Sequence, residues 1–439
     1  MSHSKTNARQ GSFALPIAIM FALFFMIAFV TGYQNPLGDV IKQMSAGNAV
    51  MSQLGTFCNF IAYAIMGYPA GKVLQNKGYR FTALAAVSVG FIGVAITYVS
   101  GMIADTNVAL GVYMLGALVA GFSMCMLNTV VNPMLNSLGK DEKQGNQLLM
   151  FGGSCNSVGA TLAPVIVGGL IGGSASSIAS ANPVFYMAMA IFAVAFIVLF
   201  FSKLPEDPDL GKPKTAIKAM DAFKFRNFTF GVVAIFCYMG VEIGVSNWTY
   251  QDLSTSIGSI GAGAVCGMFW LFMLVGRLLG GVVGGKVSSK AMLIFVSTLA
   301  IVLLALGILL PESKMGFFGF DSNNLSFTSV EIPVNSIFFV LIGLCTSVMW
   351  GAIFNLSVQG LGKYTSVASG IFMVMVCGGG IWTIVQGALA DSVGIINSFW
   401  LVVFFAAYLL LYAVVLSKPV SSLPEEKEVL FENGKKAEI

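Results

Sequence analysis

Long apolar runs separated by short polar connections constrain this chain of 439 residues more than any other feature. Each run is about 20 residues long, which is the length that a helix needs to cross a bilayer. Backbone polar groups must be paired internally in lipid, and apolar runs of this length do so as helices. We therefore predict an all-α membrane protein with 12 transmembrane helices. The predicted spans lie near 14–36, 50–70, 80–101, 108–138, 145–172, 183–202, 228–250, 260–284, 290–310, 334–361, 365–388 and 395–416.

The composition excludes most soluble proteins. Hydrophobic residues make up 57% of the chain, charged residues make up 10%, and the mean hydropathy is +0.86. Because a soluble domain carries about 25% charged residues, this chain could not cover a soluble surface. A net charge of +4 spread over the whole length gives no concentrated basic surface. We expect the lipid bilayer as a partner and no nucleic acid.

Residues that support catalysis or metal binding are scarce. The only histidine is His3, in a polar N-terminal tail, and the seven cysteines lie in apolar runs without metal-ligand spacing. Cysteines in such runs are most often buried free thiols. An enzyme inside the membrane would need a cluster of acids, histidines or metal ligands, and the sequence offers one deep acid and no usable histidine. We expect no enzymatic activity, no metal site and no cofactor.

A charged connection that contains three prolines divides the chain in two. Residues 203–227 separate an N-terminal half, 14–202, from a C-terminal half, 228–416, and each half holds six predicted spans. Short tails, 1–13 and 417–439, flank the two halves. No small-residue cleavage site follows a short apolar core, so the first run is interpreted as a span and not as a signal peptide.

Positive charges predict how the chain is oriented. Of the 23 Lys and Arg residues, all except Lys42 and Lys314 fall on the side that carries the termini. The positive-inside rule therefore places both termini in the cytoplasm. We expect a monomeric multi-pass protein of a bacterial inner (plasma) membrane, with Pro311–Ile332 as a polar loop on the outside.

The two halves repeat each other. Leu138–Lys140, between spans 4 and 5, has the same sequence as Leu361–Lys363, between spans 10 and 11. A polar stretch and a glycine-rich span follow in both halves, with Gly152–Gly153 in one and Gly378–Gly380 in the other. Repeated six-helix halves are typical of transporters that rock around a site at the membrane midplane. We therefore predict transport by alternating access.

The loop Gly71–Arg80 between spans 2 and 3 resembles a signature loop of the major facilitator superfamily, Gly-x-x-x-Asp-x-x-Gly-Arg-Lys. Gly71, Gly78 and Arg80 keep the pattern, and Gln75 stands where the acid usually is. The resemblance implies the major facilitator fold. It also implies a gating role for the three matching residues, in which the loop holds neighbouring helices in one conformation.

Six further segments resemble a family of sugar transporters, in order and at matching spans of both halves. They are 127–133, 138–139, 156–160, 236–242, 276–280 and 378–381. The family is that of the fucose–proton symporter, which includes bacterial glucose/galactose transporters. The resemblance implies cation-coupled uptake of a monosaccharide, a hexose or deoxyhexose. The fucose symporter carries an acid in span 1 and another in span 4, where Asn35 and Asn128 stand in this chain.

Glu242 is the acid that lies deepest inside a predicted span. Since an ionised carboxylate in lipid is unfavourable by several kcal/mol, we expect it to face a cavity or a partner. There it could bind and release a proton during transport, or serve as a structural acid bonded to neighbouring helices. Proton coupling through Glu242 is slightly preferred over sodium coupling through amide and backbone oxygens. An uncoupled facilitator and a small-molecule exporter of the same fold are the alternatives.

Amides form the predicted sugar site. Asn128 and Asn132 are spaced four residues apart and share one face of span 4, and Asn156 lies at similar depth on span 5. An amide offers both a donor and an acceptor to sugar hydroxyls, although such amides also bond neighbouring helices. In span 1, Gln34 and Asn35 follow a glycine and precede a proline, which favours an irregular helix that exposes backbone carbonyls to ligands or cations.

Aromatic residues of the C-terminal half complete the prediction. Sugar rings stack on aromatic faces, so Trp382, with Gln386 one turn later, and Trp350 are candidate stacking residues, although tryptophan often anchors a helix at the interface. Tyr238 lies one turn before Glu242 and could bond to it or to the sugar. We expect Arg277, near the inner end of span 8, to act in gating or in capping carbonyls.

Overall fold

The computed structural model describes most of the chain, largely as helices. The described residues are 13–45, 48–139, 142–171, 177–206, 219–283, 287–311, 313–321, 326–361 and 364–419. Ten stretches among them are long and apolar enough to cross a membrane. The helices α1 to α13 are Ala14–Gly32, Gln34–Met44, Ala49–Ser52, Leu54–Ser100, Thr106–Ser137, Glu142–Ile171, Asn182–Phe201, Arg226–Val283, Ser289–Leu309, Val334–Val358, Thr365–Met375, Gly378–Val393 and Ile395–Leu411.

Two of the long helices each contain two spans. The backbone of α4 leaves the helical conformation at Gly78, where φ is 82°, and that of α8 does so at Gly258, where φ is 76°. Glycine adopts a positive φ without the steric cost that a Cβ would bring. When α1–α2 and α11–α12 are each taken as one interrupted span, the described residues form twelve spans. The predicted all-α, twelve-helix class is therefore confirmed.

The first span is longer than predicted and is interrupted. α1 ends at Gly32 and α2 continues to Met44, so the predicted end near residue 36 is wrong. Pro36 has no N–H to donate to the Gly32 carbonyl four residues earlier, which weakens the helix at this point. A Cβ on Gly32 would lie 2.6 Å from the Cβ of Ala163, so the glycine allows α1 and α6 to pack closely.

A β-hairpin occupies most of the segment that was predicted as a polar loop, Pro311–Ile332. Strand β1, Lys314–Asp321, pairs antiparallel with strand β2, Ser326–Pro333. Side chains alternate between the two faces of a strand, and Phe317 and Ile332 are buried on the same face. The prediction of a polar loop is corrected, because this apolar alternation supports a hairpin with one buried face.

The spans alternate in direction, so both described chain ends lie at one end of the bundle, called the terminal end; the opposite end is called the far end. At the terminal end the Lys290 ammonium donates to the Val414 carbonyl (3.2 Å), which connects α9 to the last span. The predicted tails 1–13 and 417–439 and the linker 203–227 lie only partly within the described residues. The division into two halves at this linker therefore stays a prediction.

Small residues allow helices from the two parts of the sequence to pack closely. α6 lies against the second part of α8, where a Cβ on Gly263 would be 2.6 Å from the Pro164 carbonyl oxygen. On another side, α12 meets α4, and a Cβ on Gly380 would be 2.8 Å from the Phe57 carbonyl oxygen. Close backbone approach through small residues is a main source of helix association in lipid. These two contacts position the polar groups described next.

Candidate functional site

The predicted amides of α5 lie together on one face. The Asn128 amide donates to the Tyr63 hydroxyl of α4 (2.9 Å) and to the Met124 carbonyl (3.1 Å). The Asn132 amide donates to the Asn128 carbonyl (2.8 Å). Both side chains are partly exposed, with Asn128 more than two turns inside the helix and Asn132 nearer its end at Ser137. An amide in such a position is suited to bonding a ligand with hydroxyl groups.

Amides of α6 and α2 lie on neighbouring helices. The partly exposed Asn156 donates to the Phe24 carbonyl of α1 (3.2 Å). Gln34 is buried and accepts a hydrogen bond from the Tyr113 hydroxyl (2.8 Å), and its Nε2 has no partner among the described atoms. Asn35 lies in α2, and its side chain is outside the part of the chain that the structure describes. Its predicted roles in binding and coupling stay predictions.

Glu242 lies in the first part of α8 with two of the predicted aromatic residues nearby. The Tyr238 hydroxyl donates to the Thr346 carbonyl of α10 (3.4 Å). Tyr238 lies one turn before Glu242 on the same helix face, where its hydroxyl is close to the carboxyl group. The Tyr238 ring packs edge-on against Trp350, with 5.9 Å between the ring centroids. Glu242 and Trp350 are partly exposed, whereas Tyr238 is buried. An acid, its hydroxyl partner and an aromatic face therefore form one group.

Arg277 connects this group to α6. Its guanidinium Nη1 donates to the Gly153 carbonyl (2.5 Å) and to the Ser157 hydroxyl (2.7 Å), both on α6. Arg277 does not form an ion pair with the Glu242 carboxylate, but the two opposite charges are near enough to attract each other. The predicted carbonyl-capping contact of Arg277 is present, and it joins α8 to a helix that precedes the linker.

Trp382 and Gln386 pack against the first part of α8 at Gly240 and Gly244. The Trp382 indole N–H donates to the Phe236 carbonyl (3.0 Å), and its ring lies 4.4 Å from the Phe405 ring of α13. Gln386 is buried and donates to the Ser398 hydroxyl of α13 (3.3 Å). Both side chains fill the contact between α8, α12 and α13. Substrate contact by either residue stays a prediction that these hydrogen bonds do not support.

The predicted gating loop is held by an acid that sequence reasoning missed. The Glu206 carboxylate, just after α7, accepts hydrogen bonds from the backbone N–H groups of Tyr79 (2.7 Å) and Arg80 (3.0 Å). The Arg80 guanidinium donates to a backbone carbonyl of α7. Gly78 gives the positive φ that turns these N–H groups toward Glu206, whereas a Cβ on Gly71 would meet open space. A carboxylate is favourable here because the first N–H groups of a helix lack partners.

Hydrogen bonds at the far end connect α2 and α4 to α8. The Asp39 carboxylate, 8% exposed, accepts from the hydroxyls of Ser259 (2.5 Å) and Ser254 (3.3 Å). The Asn247 amide donates to the side-chain Oε1 of Gln53 (3.0 Å) and to the Thr56 hydroxyl of α4 (3.2 Å). The first two spans are therefore tied to the turn at Gly258.

A second set of hydrogen bonds closes the other side of the far end. The Asp391 carboxylate, near the end of α12, accepts from the backbone N–H groups of Ala49 (2.9 Å) and Val50 (3.4 Å) at the start of α3. Together these contacts form a far-end seam, and sequence reasoning missed its members. The serine run that follows Gln251 was the signal that could have indicated it. The far-end seam consists of Asp39, Gln53, Thr56, Asn247, Ser254, Ser259 and Asp391.

The described residues do not form a metal centre. No group of three or more His, Cys, Asp or Glu side chains among them is arranged to hold a metal ion. All seven cysteines are free, as predicted; Cys155 is partly exposed and the others are buried. The polar chemistry of the membrane region is therefore carried by amides, hydroxyls, Glu242 and Arg277.

Comparison with known families gives one match that spans most of the chain. The sequence profile of the Major Facilitator Superfamily matches residues 17–383. That range includes the amides of α5 and α6, the acid of α8 and the gating loop. It ends within α12.

Three similar proteins are transporters. A glucose/galactose transporter of Brucella abortus is 29% identical over 434 residues, which covers 95% of this chain and 97% of that protein. A putative glucose/galactose transporter of Helicobacter pylori is 27% identical over 398 residues, covering 87% of this chain and 91% of that protein. The solved structure of the Escherichia coli fucose:proton symporter FucP superposes with a TM-score of 0.66 at 19% identity, covering 93% of this chain and 100% of that chain.

Proposed function

The chain belongs to the Major Facilitator Superfamily, a family of membrane transporters, and from this premise we propose that it imports a monosaccharide by cation-coupled alternating access. The named substrates of the similar proteins are glucose, galactose and fucose, which favours a hexose or deoxyhexose. The match covers nearly the full length of the similar glucose/galactose transporters, so both sides of a central site are represented.

The observation that carries the proposal is the pairing of amides with an acid and aromatic residues at mid-span. Asn128, Asn132 and Asn156 supply hydrogen-bonding groups from helices before the linker. Trp350 supplies partly exposed aromatic surface from a helix after the linker, and the buried Tyr238 ring packs against it. A site for a ligand rich in hydroxyl groups needs several hydrogen-bond donors and acceptors, whereas the site of an exporter of apolar molecules does not. The proposed sugar site lies between these two sets.

Glu242 is the proposed proton carrier. Among the described acids it is the one placed far from both ends of a span, and it is partly exposed. Tyr238 and Arg277 provide groups that interact with its ionised form. Transport of a proton with the sugar needs such a group, because amides do not titrate.

Sodium coupling is a second candidate, favoured by the interruption of the first span at Tyr33. Pro36 leaves the Gly32 carbonyl without its usual helical donor. Backbone carbonyls and amide oxygens are the ligands that a hard cation prefers. In this alternative Asn35 and Asn128 would take part in coupling.

The proposed gates are the far-end seam and the predicted gating loop Gly71–Arg80, which lies at the terminal end and is called the terminal-end loop. Under the positive-inside prediction the far end faces the outside of the cell, so the structure is closed toward the outside. Gly71, Gly78 and Arg80 belong to the terminal-end loop, and Arg277 joins α8 to α6. Alternating access requires the far-end seam to open while contacts nearer the terminal end form.

The test is uptake of radiolabelled glucose and galactose into proteoliposomes, with proton and sodium gradients imposed separately. A gradient of about one pH unit can drive roughly tenfold accumulation at one proton per sugar, since about 1.4 kcal/mol corresponds to a factor of ten. We expect proton-driven accumulation in the wild type. We expect Glu242→Gln to lose it while sugar counterflow without a gradient continues.

Asp105→Asn is the matched control for this test. Asp105 caps α5 at the far end by accepting from the Val108 N–H (2.9 Å), and asparagine can replace it in that role. Accumulation driven by sodium alone would move coupling from Glu242 to the oxygens near Tyr33. No sugar transport under either gradient would contradict the proposal and favour export of another class of molecule.

A further inference from the structure

Arg277 lies where the second part of α8 meets α6, and it is shared between two kinds of partner. Both of its hydrogen bonds in the structure come from one nitrogen, Nη1, and both end on α6, at Gly153 and Ser157. A guanidinium has five N–H groups, so three others are available for a second partner. The side chain is partly exposed, which leaves room for it to turn.

The candidate second partner is Glu242, which attracts Arg277 without forming an ion pair with it, while the hydrogen bonds of Arg277 run to α6. Both groups border the same turn of α10. A Cβ on Gly276, next to Arg277, would clash with the Ser347 hydroxyl. The Tyr238 hydroxyl lies 3.4 Å from the Thr346 carbonyl. Among the residues that the structure describes, the charged or titratable groups near Glu242 are Arg277 from the second part of α8 and Tyr238 from its own helix. α10 contributes a backbone carbonyl at Thr346 and the neutral ring of Trp350 on this side. Arg277 is therefore the cation that responds to the charge of Glu242.

The attraction between Arg277 and Glu242 depends strongly on whether the carboxyl group is ionised. Charges in the membrane interior are weakly screened, so an ionised carboxylate attracts a nearby guanidinium much more than a protonated one does. The α6 acceptors at Gly153 and Ser157 are neutral, and their hold on Arg277 does not change with pH. The two partners therefore compete for one guanidinium, and protonation changes the strength of one competitor.

We propose that Arg277 is the positioning residue that links protonation of Glu242 to the contact between α6 and α8. With Glu242 protonated, Arg277 binds Gly153 and Ser157 and holds the two helices together. With Glu242 ionised, Arg277 turns to the carboxylate and releases α6. This inference rests on the proposed role of Glu242 as proton carrier and adds how its charge reaches the other half. Linkage makes the effect reciprocal, so separation of α6 from α8 favours proton release.

The first test is the pH profile of sugar counterflow, read as the pH at which counterflow falls to half. Ser157→Ala removes one α6 acceptor and so favours the interaction of Arg277 with ionised Glu242. We therefore expect the pH of half-maximal counterflow to move about one unit lower. Arg277→Gln removes the cation that stabilises ionised Glu242, so we expect the pH of half-maximal counterflow to move higher. A residue that only supports packing would not produce shifts of opposite sign.

Two further variants keep this test decisive. Arg277→Lys keeps the charge and replaces the planar guanidinium with an ammonium on a side chain of different shape, which weakens the contact with Gly153 and Ser157, so the pH of half-maximal counterflow should move lower, as with Ser157→Ala. Thr161→Val is the control, because the Thr161 hydroxyl bonds to the Ser157 carbonyl within α6 (2.8 Å) and does not bond to Arg277. Shifts in the same direction for Ser157→Ala and Arg277→Gln, or no shift in either, would overturn the inference.

The second test needs no sugar and separates this inference from the proposed function. Spin labels at Phe151 on α6 and Leu279 on α8, both exposed, report the distance between these helices once the native cysteines are replaced. We expect a longer distance at pH 8.5 than at pH 5.5 in the wild type, and no pH dependence in Glu242→Gln. A distance that is the same at both pH values in the wild type would overturn the inference, whatever the protein transports.

Discussion

The polar groups before the linker and those after it differ in chemistry. Asn128, Asn132 and Asn156 are neutral amides, and their hydrogen bonds run to helices of the same part of the sequence. Glu242 and Tyr238 form an acid–hydroxyl pair beside an aromatic ring. Amides keep one charge state and present directional donors and acceptors, whereas a carboxyl group changes its charge. The comparison suggests that the first set selects the sugar and the second set couples it to protons.

Among the described residues, few charged side chains connect the helices before the linker to those after it. Arg277, less than two turns before α8 ends at Val283, reaches from α8 to α6. At the far end, the contacts between the halves use Asp39 and Asp391 as acceptors for serine hydroxyls and backbone N–H groups. Neutral donors bind a carboxylate less strongly than a cation does, so the far-end seam can open without separating an ion pair. The contact between Arg277 and α6 is therefore the one that a change of charge can control.

The largest expected effect separates sugar binding from coupling. Asn128→Ala removes an amide of the proposed sugar site, so we expect the KM for sugar to rise about tenfold, which corresponds to about 1.4 kcal/mol for lost hydrogen bonds. The pH at half-maximal counterflow should not change. Tyr238→Phe removes the hydroxyl partner of Glu242, so it should shift that pH and leave KM within about twofold. Counterflow measured across pH and sugar concentration checks both.

A neighbouring variant controls for damage to α5. The Thr129 hydroxyl bonds to the Cys125 carbonyl of its own helix (2.8 Å), so Thr129→Val should change neither quantity. If Asn128→Ala shifts the pH profile, or if Tyr238→Phe raises KM about tenfold, then the amides and the acid do not have separate roles.

The sequence predicted much of the fold because lipid limits the choice of structure. Twelve apolar runs become twelve spans, since an unpaired backbone is unfavourable in the membrane. The i, i+4 spacing of Asn128 and Asn132 placed them on one face, as observed. The irregular first span followed from Gly32 and Pro36, although the helix continues further than predicted.

The far-end seam could not be predicted because its partners are distant in sequence. Asp39 and Ser259 are separated by 220 positions, and Asp391 and Ala49 by 342. A helical pattern shows which face of a span is polar, but it does not show which other span that face meets. The same limit explains Trp382, which has the residue type for stacking on sugars and packs against α13 instead.

The second prediction sharpens the comparison within the C-terminal half. Trp350 packs beside Tyr238 and is partly exposed, so Trp350→Leu should raise the KM for sugar about fivefold, which matches roughly 1 kcal/mol of lost aromatic contact. Trp382→Leu loses a hydrogen bond to Phe236 and its contact with Phe405, so it should lower thermal stability and leave KM unchanged. Thermal unfolding in detergent, combined with uptake kinetics, distinguishes the two results. A fivefold rise in KM for Trp382→Leu at unchanged stability would show that Trp382 contacts the sugar.

The smallest expected effect concerns the terminal-end loop of the N-terminal half, where two glycines of one motif differ in geometry. Gly78 has φ of 82° and lies against Glu206, so Gly78→Ala brings a strained backbone and crowds the carboxylate that holds the loop. With ψ of 177° as well, Gly78 occupies a region that is essentially restricted to glycine, where another residue is strained by about 1–3 kcal/mol. We expect a fall in the unfolding temperature and about a twofold change in uptake rate. Gly71→Ala meets open space on a helix and should be neutral or slightly stabilising.

Equal losses of uptake in both variants, without a change in unfolding temperature, would show that the loop acts through the motion of the helices. If only Gly78→Ala loses uptake, and its stability falls as well, then the loop acts by stabilising the helices that it joins. In that case the loop does not take part in the motion that the charge of Glu242 controls.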